Sequence, residues 1–122
     1  MNFKIREALG YSSIYIEPNC PSYIEHRADC DTSVEFCGYK LKLPVIASPM
    51  QDVCDGEMAR QMWHEGCLGI IHRFMDIKEQ VNEYCLATRD GGGMIGVAVG
   101  VGKDWYERVS ELYTVGAKLF CV

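Results

Sequence analysis

Polar side chains suited to ligand binding follow two apolar, strand-like runs of the sequence. Ser48 and Met50 come directly after the run 44–47, and Arg73 comes directly after the run 68–72. In a parallel α/β sheet, the loops that follow the strands face the ligand crevice. A hydroxyl and a thioether at that edge favour contact with a small molecule, and a guanidinium there suits a phosphate or a carboxylate. The pattern around Ser48 and Met50 is equally typical of a helix-capping turn.

The histidines are less informative than Arg73. His72 ends the second apolar run, where a histidine is more often a structural residue than a general base. His26 and Arg27 are adjacent in an irregular part of the chain, and such a pair is also typical of a solvated turn. Spacing alone therefore assigns no chemical role to these side chains.

Seven cysteines invite a metal or disulfide interpretation, which their spacing does not support. No C-x2-C or C-x4-C pair occurs, and the three histidines form no H-x3-5-H set, so no zinc site is expected. An odd number of cysteines without an export signal is typical of reduced thiols. We expect Cys67, Cys85 and Cys121 to pack as small hydrophobic residues.

The glycine-rich stretch 96–102 completes no nucleotide-binding loop. Trp105 stands at the third glycine position of G-x-G-x-x-G, and Val97 and Asp104 break the pattern G-x4-G-K-[ST]. Small residues here are better explained as allowing one strand to pass close to its neighbours.

Strand-like and helix-like segments alternate from residue 44 onward, which is typical of βα units and a parallel sheet. The strand candidates are mostly apolar, as expected of strands buried on both faces. They are Pro44–Ala47, Leu68–His72, Met94–Val101 and Lys118–Val122.

Three helices are predicted between these strands, each with a readable start or end. An aspartate precedes each helix as a candidate cap, a glutamate three residues later completes a capping box in the second and third, and a glycine follows the first and third. These residues are Asp55 with Gly66, Asp76 with Glu79, and Asp104 with Glu107 and Gly116.

The sequence divides into a lead-in segment, 1–43, and a βα-repeat segment, 44–122. The lead-in is compatible with a small hairpin over Val34–Leu43 around Gly38 and Tyr39. The repeat predicts the first four strands and three helices of a (β/α)8 barrel, although a doubly wound sheet would give the same pattern. Because such a barrel takes about 250 residues, we expect an incomplete, N-terminal half of one.

Composition excludes several classes of function. The 122 residues carry 12 basic and 17 acidic side chains, for a net charge of −5, and the basic residues are scattered, which disfavours nucleic-acid binding. No apolar run approaches a membrane span, and charged residues occupy the start of the chain where a signal peptide needs an apolar stretch. We therefore expect a cytoplasmic protein that binds neither nucleic acid nor membranes.

Five short segments occur in an order and at separations that resemble the first half of one enzyme family. They are Ser48-Pro49-Met50, Glu57-Met58-Ala59, Gly69-Ile70-Ile71-His72, Ala98-Val99-Gly100-Val101 and Gly116-Ala117. Their combination, from about Tyr11 to Val122, is similar to the IMP dehydrogenase and GMP reductase family. Met50-Gln51 and His72-Arg73-Phe74 are more similar to bacterial GMP reductases, whereas the stretches 66–71 and 97–102 are more similar to IMP dehydrogenases.

This resemblance implies a (β/α)8 barrel that transfers a hydride between C2 of a purine nucleotide and a nicotinamide cofactor. The reductase would convert GMP and NADPH to IMP, ammonia and NADP, and the dehydrogenase would oxidise IMP to XMP with NAD. By position, Ser48 and Met50 match residues that touch the nucleotide base, and Arg73 matches a basic residue near the cofactor. His26 and Arg27 match a pair that reaches the cofactor of a neighbouring subunit in a tetramer.

The resemblance also implies a nucleophilic cysteine in a glycine-rich loop after the sixth strand. Because only four barrel strands are predicted here, no cysteine of this chain is expected to be catalytic. We therefore expect an enzyme fragment, inactive alone, that belongs to a homo-oligomeric enzyme using NADP, or alternatively NAD. The other hypothesis is a non-catalytic assembly module in which two half-barrels pair through their open edges.

Overall fold

The computed structural model describes residues 8–18, 21, 23–91 and 93–122. The chain divides into two compact units, Met1–Asp31 and Thr32–Val122. Unit 1 contains two short 3-10 helices, Tyr11–Ser13 and Arg27–Asp29. The backbone N–H of His26 donates to the Asp29 carboxylate at 3.3 Å and so holds the second of these turns closed.

Unit 2 begins with a two-stranded antiparallel hairpin, at the place where the sequence is compatible with one. Strand β1 is Val34–Phe36 and strand β2 is Tyr39–Leu41. Cys37 and Gly38 form the turn with φ of 49° and 77°, and a type I′ turn requires positive φ at both positions. Leu41 is buried against the parallel sheet, which explains why the compact unit starts before residue 44.

The rest of unit 2 is built on a four-stranded parallel sheet. Its strands are β3 (Ile46–Ala47), β4 (Leu68–Ile71), β5 (Ile95–Ala98) and β6 (Leu119–Cys121), each shorter than the apolar run that predicted it. They lie in the order β3-β4-β5-β6. A doubly wound sheet reverses its strand order at a switch point, whereas barrel strands follow one another around the axis. The observed order is therefore that of a barrel.

Three helices cover one face of this sheet. They are α1 (Gly56–His64), α2 (Ile77–Thr88) and α3 (Trp105–Thr114), and α1 packs against α2 as α2 does against α3. The core between sheet and helices includes Ala59, Ile71, Val97 and Leu112, all fully buried. Among the described residues, no helix has the length and apolarity needed to cross a membrane.

Local hydrogen bonds confirm two of the three predicted helix caps. The Asp55 carboxylate accepts from the N–H of Met58 at 2.8 Å, and Asp76 and Glu79 form the predicted capping box at 2.8 and 3.1 Å. The third prediction is wrong, because the Asp104 side chain does not cap α3. It accepts from the Arg108 guanidinium instead, and an arginine one turn along the helix offers a stronger, charge-assisted partner than a backbone N–H.

Close packing explains the glycines of the sheet. A Cβ at Gly96 would lie 3.0 Å from Ile70 and 3.4 Å from Leu119, so β5 approaches both neighbouring strands as the sequence suggested. A Cβ at Gly69 would overlap the backbone of Ala59 in α1. These two positions therefore set the separation of β5 from its neighbours and of β4 from α1.

The expectation that three cysteines pack as small hydrophobic residues is correct for Cys67 and wrong for Cys85. Cys67 is buried and Cys121 is partly buried, but Cys85 is exposed because the buried face of α2 is centred on Gln80, Tyr84 and Ala87.

Candidate functional site

Three loops follow neighbouring strands at the carboxyl edge of the parallel sheet. Loop 1 (residues 48–55) follows β3, loop 2 (72–76) follows β4, and loop 3 (99–104) follows β5. Because the strands are parallel and adjacent, their carboxyl ends meet at one edge. The edge thus brings Ser48, Met50 and Arg73 to the same side of unit 2.

Loop 1 is folded tightly around Met50. The N–H of Met50 donates to the Ser48 carbonyl at 2.8 Å, and the Met50 carbonyl accepts from the N–H groups of Val53 and Cys54 at 3.0 and 3.1 Å. The Met50 side chain remains 56% exposed, and Ser48 is exposed as well. Since Asp55 caps α1, Ser48 and Met50 lie outside the cap, with side chains open to a ligand.

His72 has a structural role at the start of loop 2. Its side chain is buried, and its Nδ1 accepts a hydrogen bond from the N–H of Phe74 at 3.2 Å. Its own N–H donates to the Cys54 carbonyl at 3.2 Å, which links loop 2 to loop 1. His72 therefore shapes the turn that presents Arg73.

Arg73 carries the exposed positive charge of loop 2. Its Cζ lies 5.2 Å from the centroid of the Phe74 ring, within the range of a cation–π contact. A Cβ at Gly100 would lie only 3.0 Å from Arg73 Nη1, so the missing side chain in loop 3 leaves room for the guanidinium. Over the part of the chain that the structure describes, no ion pair engages Arg73. The guanidinium is thus available to an anionic ligand.

A buried polar network, which the sequence pattern did not predict, lies behind loops 2 and 3. Gln80 is fully buried, and its amide donates to the carbonyls of His72 and Ala98 at 3.1 and 2.8 Å. Arg108, 8% exposed, donates to the Gln80 amide oxygen at 2.9 Å and to the Asp104 carboxylate at 3.0 and 3.1 Å. The four-residue spacing of Asp104 and Arg108 was the available signal for part of it.

Two pKa shifts follow from this environment. The hydrogen bonds from Arg108 hold the pKa of the Asp104 carboxyl below its ordinary value, and the nearby charge of Arg73 adds to the effect. Burial raises the pKa of the Cys54 thiol to about 11. Cys54 therefore remains a neutral thiol and lacks the activation that a nucleophile needs. Within the described ranges, no three His, Cys, Asp or Glu side chains converge on a possible metal position.

His26 and Arg27 belong to unit 1. His26 immediately precedes the second 3-10 helix, Arg27 is its first residue, and both side chains are exposed. The pair therefore lies at an exposed 3-10 turn, and its binding role stays a prediction.

Comparison with known proteins identifies the family. A sequence model described as "IMP dehydrogenase / GMP reductase domain" matches residues 8–122. The chain belongs to this family. The resemblance drawn from the five motifs is thereby confirmed.

The family relatives include both enzymes. The chain is 32% identical to the GMP reductase of Oenococcus oeni, over 90% of this chain and 33% of that protein. It is 34% identical to the GMP reductase of Lysinibacillus sphaericus, over 84% of this chain and 30% of the relative. It is 31% identical to the inosine-5'-monophosphate dehydrogenase of Aquifex aeolicus, over 94% of this chain and 23% of the relative. The chain thus spans a third or less of these curated relatives.

A solved structure of the family shares the fold. The crystal structure of inosine 5' monophosphate dehydrogenase from Legionella pneumophila superposes with a TM-score of 0.71 at 32% identity, covering 84% of this chain and 32% of that one. The parallel sheet and its helices are therefore the first half of a (β/α)8 barrel, as predicted.

Proposed function

We propose that this chain provides the first binding loops of a purine nucleotide oxidoreductase of the GMP reductase type. The complete reaction would convert GMP and NADPH to IMP, ammonia and NADP. The observation that carries the proposal is the placement of Ser48, Met50 and Arg73 at the carboxyl edge of adjacent barrel strands. Active sites of (β/α)8 enzymes are built at that edge.

Ser48 and Met50 would contact the purine base of the nucleotide. The exposed thioether of Met50 can pack against an aromatic ring, and the hydroxyl of Ser48 can donate or accept a hydrogen bond at the edge of the base. The tight turn around Met50 fixes the backbone of both residues before binding, which reduces the entropy that binding must overcome.

Arg73 would contact the nicotinamide cofactor, which supplies the hydride when it is bound. The residues present fit a phosphate-bearing cofactor, because the Arg73 guanidinium is exposed, engaged in no ion pair among the described residues, and accommodated by Gly100. A guanidinium binds phosphate oxygens through two parallel hydrogen bonds. His26 and Arg27 of unit 1 would contact the cofactor of a neighbouring subunit in a tetramer. The complete enzyme would be cytoplasmic.

We expect the isolated chain to bind these ligands without turning them over. Among its described cysteines, Cys54 is held as a neutral thiol by burial, and the nucleophile that the family resemblance implies follows a sixth strand. With NADPH and GMP, absorbance at the NADPH band should therefore stay at the background rate. Oxidation of NADPH above that rate would contradict the inactivity of the chain.

Calorimetric titration of the 122-residue chain with NADPH and GMP tests the binding roles. The variant Arg73→Met should raise the Kd for NADPH about tenfold, because it removes charge-assisted hydrogen bonds to phosphate. The matched control Arg89→Met removes an exposed arginine beyond the end of α2 and should leave both affinities unchanged. Ser48→Ala and Met50→Ala should weaken GMP binding alone. Equal NADPH affinity in Arg73→Met and Arg89→Met would refute the role of Arg73.

The dehydrogenase of the same family is a second candidate. The observation in its favour is the similarity to the Aquifex and Legionella proteins, which bear that name. A chain of the dehydrogenase type would prefer IMP and NAD over GMP and NADPH in the same titrations. A non-catalytic half-barrel module would instead elute as a defined dimer on sizing chromatography and bind none of the four ligands.

A further inference from the structure

We propose that Gln80 and Arg108 are positioning residues for the candidate cofactor site, holding loops 2 and 3 in register. The inference rests on the proposed function, since it assigns these loops to the cofactor. It concerns two side chains of the helical layer that do not themselves belong to the exposed edge.

Gln80 replaces backbone pairing where β4 and β5 separate. The ladder between these strands ends with Ile71 opposite Val97. The residues that follow this pair, His72 of loop 2 and Ala98 at the end of β5, are joined by the Gln80 amide, which donates to both carbonyls. One fully buried side chain thus fixes the spacing of the two chain segments just before Arg73 and Gly100.

Arg108 sets the orientation of this amide. A guanidinium can only donate hydrogen bonds, so its contact with Gln80 at 2.9 Å requires the amide oxygen to face it. Both amide hydrogens are then left for the carbonyls of His72 and Ala98. Arg108 therefore determines that Gln80 presents its donors, and not its acceptor, to the strand ends.

Arg108 also ties the two loops to each other directly. Its Nη2 donates to the Met75 carbonyl of loop 2 at 3.1 Å and to the Asp104 carboxylate of loop 3 at 3.0 Å. Within the described residues, no buried side-chain nitrogen or oxygen lacks a partner, so the network is complete. A complete buried network is rigid, because each displacement leaves a buried polar group unpaired.

The rigidity of this network affects the candidate cofactor site through Arg73 and Gly100. These residues sit on different loops, and the guanidinium lies within contact range of the position that a Gly100 Cβ would take. Their separation depends on how loops 2 and 3 are held together. Loop 1, which carries Ser48 and Met50, receives no hydrogen bond from Gln80 or Arg108 among the described contacts.

Three variants of the 122-residue chain remove different hydrogen bonds of the network. Gln80→Met removes all its hydrogen bonds, Gln80→Glu keeps an acceptor for Arg108 but removes the donors, and Arg108→Lys keeps the charge but loses the planar fork. The matched control is Arg60→Lys. In the wild-type chain, Arg60 lies in α1 and bridges Glu57 and Asp90 on the protein surface. If the Gln80 variants fail to fold, Arg108→Lys still tests the proposal.

Amide hydrogen exchange gives a readout that needs no ligand. Relative to wild type and Arg60→Lys, the network variants should exchange amides of residues 72–76 and 99–104 at least about tenfold faster, with β4 and β5 unchanged. Unchanged exchange in both loops would overturn the proposal, and so would equal acceleration throughout the sheet.

Ligand affinity gives the second readout. Each network variant should raise the Kd for NADPH about tenfold while the Kd for GMP stays within about twofold. Equal weakening of both ligands would indicate general loss of structure and would also overturn the proposal. If the wild-type chain binds neither ligand, the proposed function fails, and the exchange experiment alone decides whether Gln80 and Arg108 position the loops.

Discussion

Gly69 lies in β4 directly beneath α1, and replacing it with alanine should be strongly destabilising. A Cβ added at Gly69 would lie 2.8 Å from the Ala59 Cβ and closer still to the Ala59 Cα. Both residues are buried in the centre of the core. Because the obstacle includes helix backbone, no change of side-chain rotamer can relieve the overlap, and α1 itself must move away from the sheet.

The expected cost follows from this geometry. Restoring ordinary contact requires α1 to shift by roughly 1 Å, and overpacking of a core costs about 1–3 kcal/mol. We expect about 3 kcal/mol, since the displaced element also contributes Trp63 and Met62 to the core. For a unit of about 90 residues, this corresponds to a fall in Tm of about 12–24 °C.

Urea denaturation followed by tryptophan fluorescence measures the effect, with Trp63 of α1 and Trp105 of α3 as the reporters. Gly96→Ala is an intermediate control, because its new Cβ would meet the movable side chain of Ile70 at 3.0 Å, and should cost about 1 kcal/mol. Gly10→Ala adds a methyl group at an exposed position and should change stability by less than about 0.5 kcal/mol. If Gly69→Ala matched Gly10→Ala, the close approach of β4 and α1 would be refuted.

Three further predictions concern the thiols, a helix cap and an acidic side chain. Because Cys54 is buried with a pKa of about 11, only about 0.1% of it is thiolate near pH 8. Iodoacetamide labelling followed by peptide mass spectrometry should therefore modify exposed Cys85 and spare Cys54; comparable labelling of the two would contradict the burial. Asp76→Ala removes the hydrogen bond that the Asp76 carboxylate accepts from the Glu79 N–H at the start of α2 and should cost about 1 kcal/mol in urea denaturation, and a cost near zero would show that this cap does not contribute. The pKa of Asp104 is lowered from 3.8 by hydrogen bonds from Arg108, so its contribution to stability is full above that value and is lost as the pH falls through the lowered one. The stability difference between wild type and Asp104→Asn should therefore shrink on acidification, and a difference independent of pH would argue against the pair.

Predictions from the sequence succeeded where the deciding interaction is local. Asp55 and Asp76 cap their helices through hydrogen bonds to residues three positions away, and such contacts form wherever the helix forms. Asp104 shows the limit of this reasoning. The backbone N–H groups that Asp104 could cap and the Arg108 side chain are both close to it in the sequence. The rest of the fold buries Arg108, and this burial favours the ion pair over the cap.

The candidate site was predictable only in its exposed part. Ser48, Met50 and Arg73 follow apolar runs, and a parallel sheet must place the ends of such runs at one edge. Gln80 was missed because it lies among apolar positions of α2, where a polar residue gives no sign of its partner. Its contacts with Ala98 and Arg108 span 18 and 28 residues of sequence, so they depend on the packing of α2, β5 and α3 together.

The sequence by itself determined which segments become strands and helices, where the helices begin, and the family to which their motifs belong. These features depend on apolar periodicity and on hydrogen bonds within a few residues. Only the tertiary structure decided that the strands follow the sequential order of a barrel, that Cys85 faces outward, and that Gln80 joins the ends of β4 and β5. These outcomes depend on burial and on hydrogen bonds between distant segments, whose energies are defined only when the elements pack.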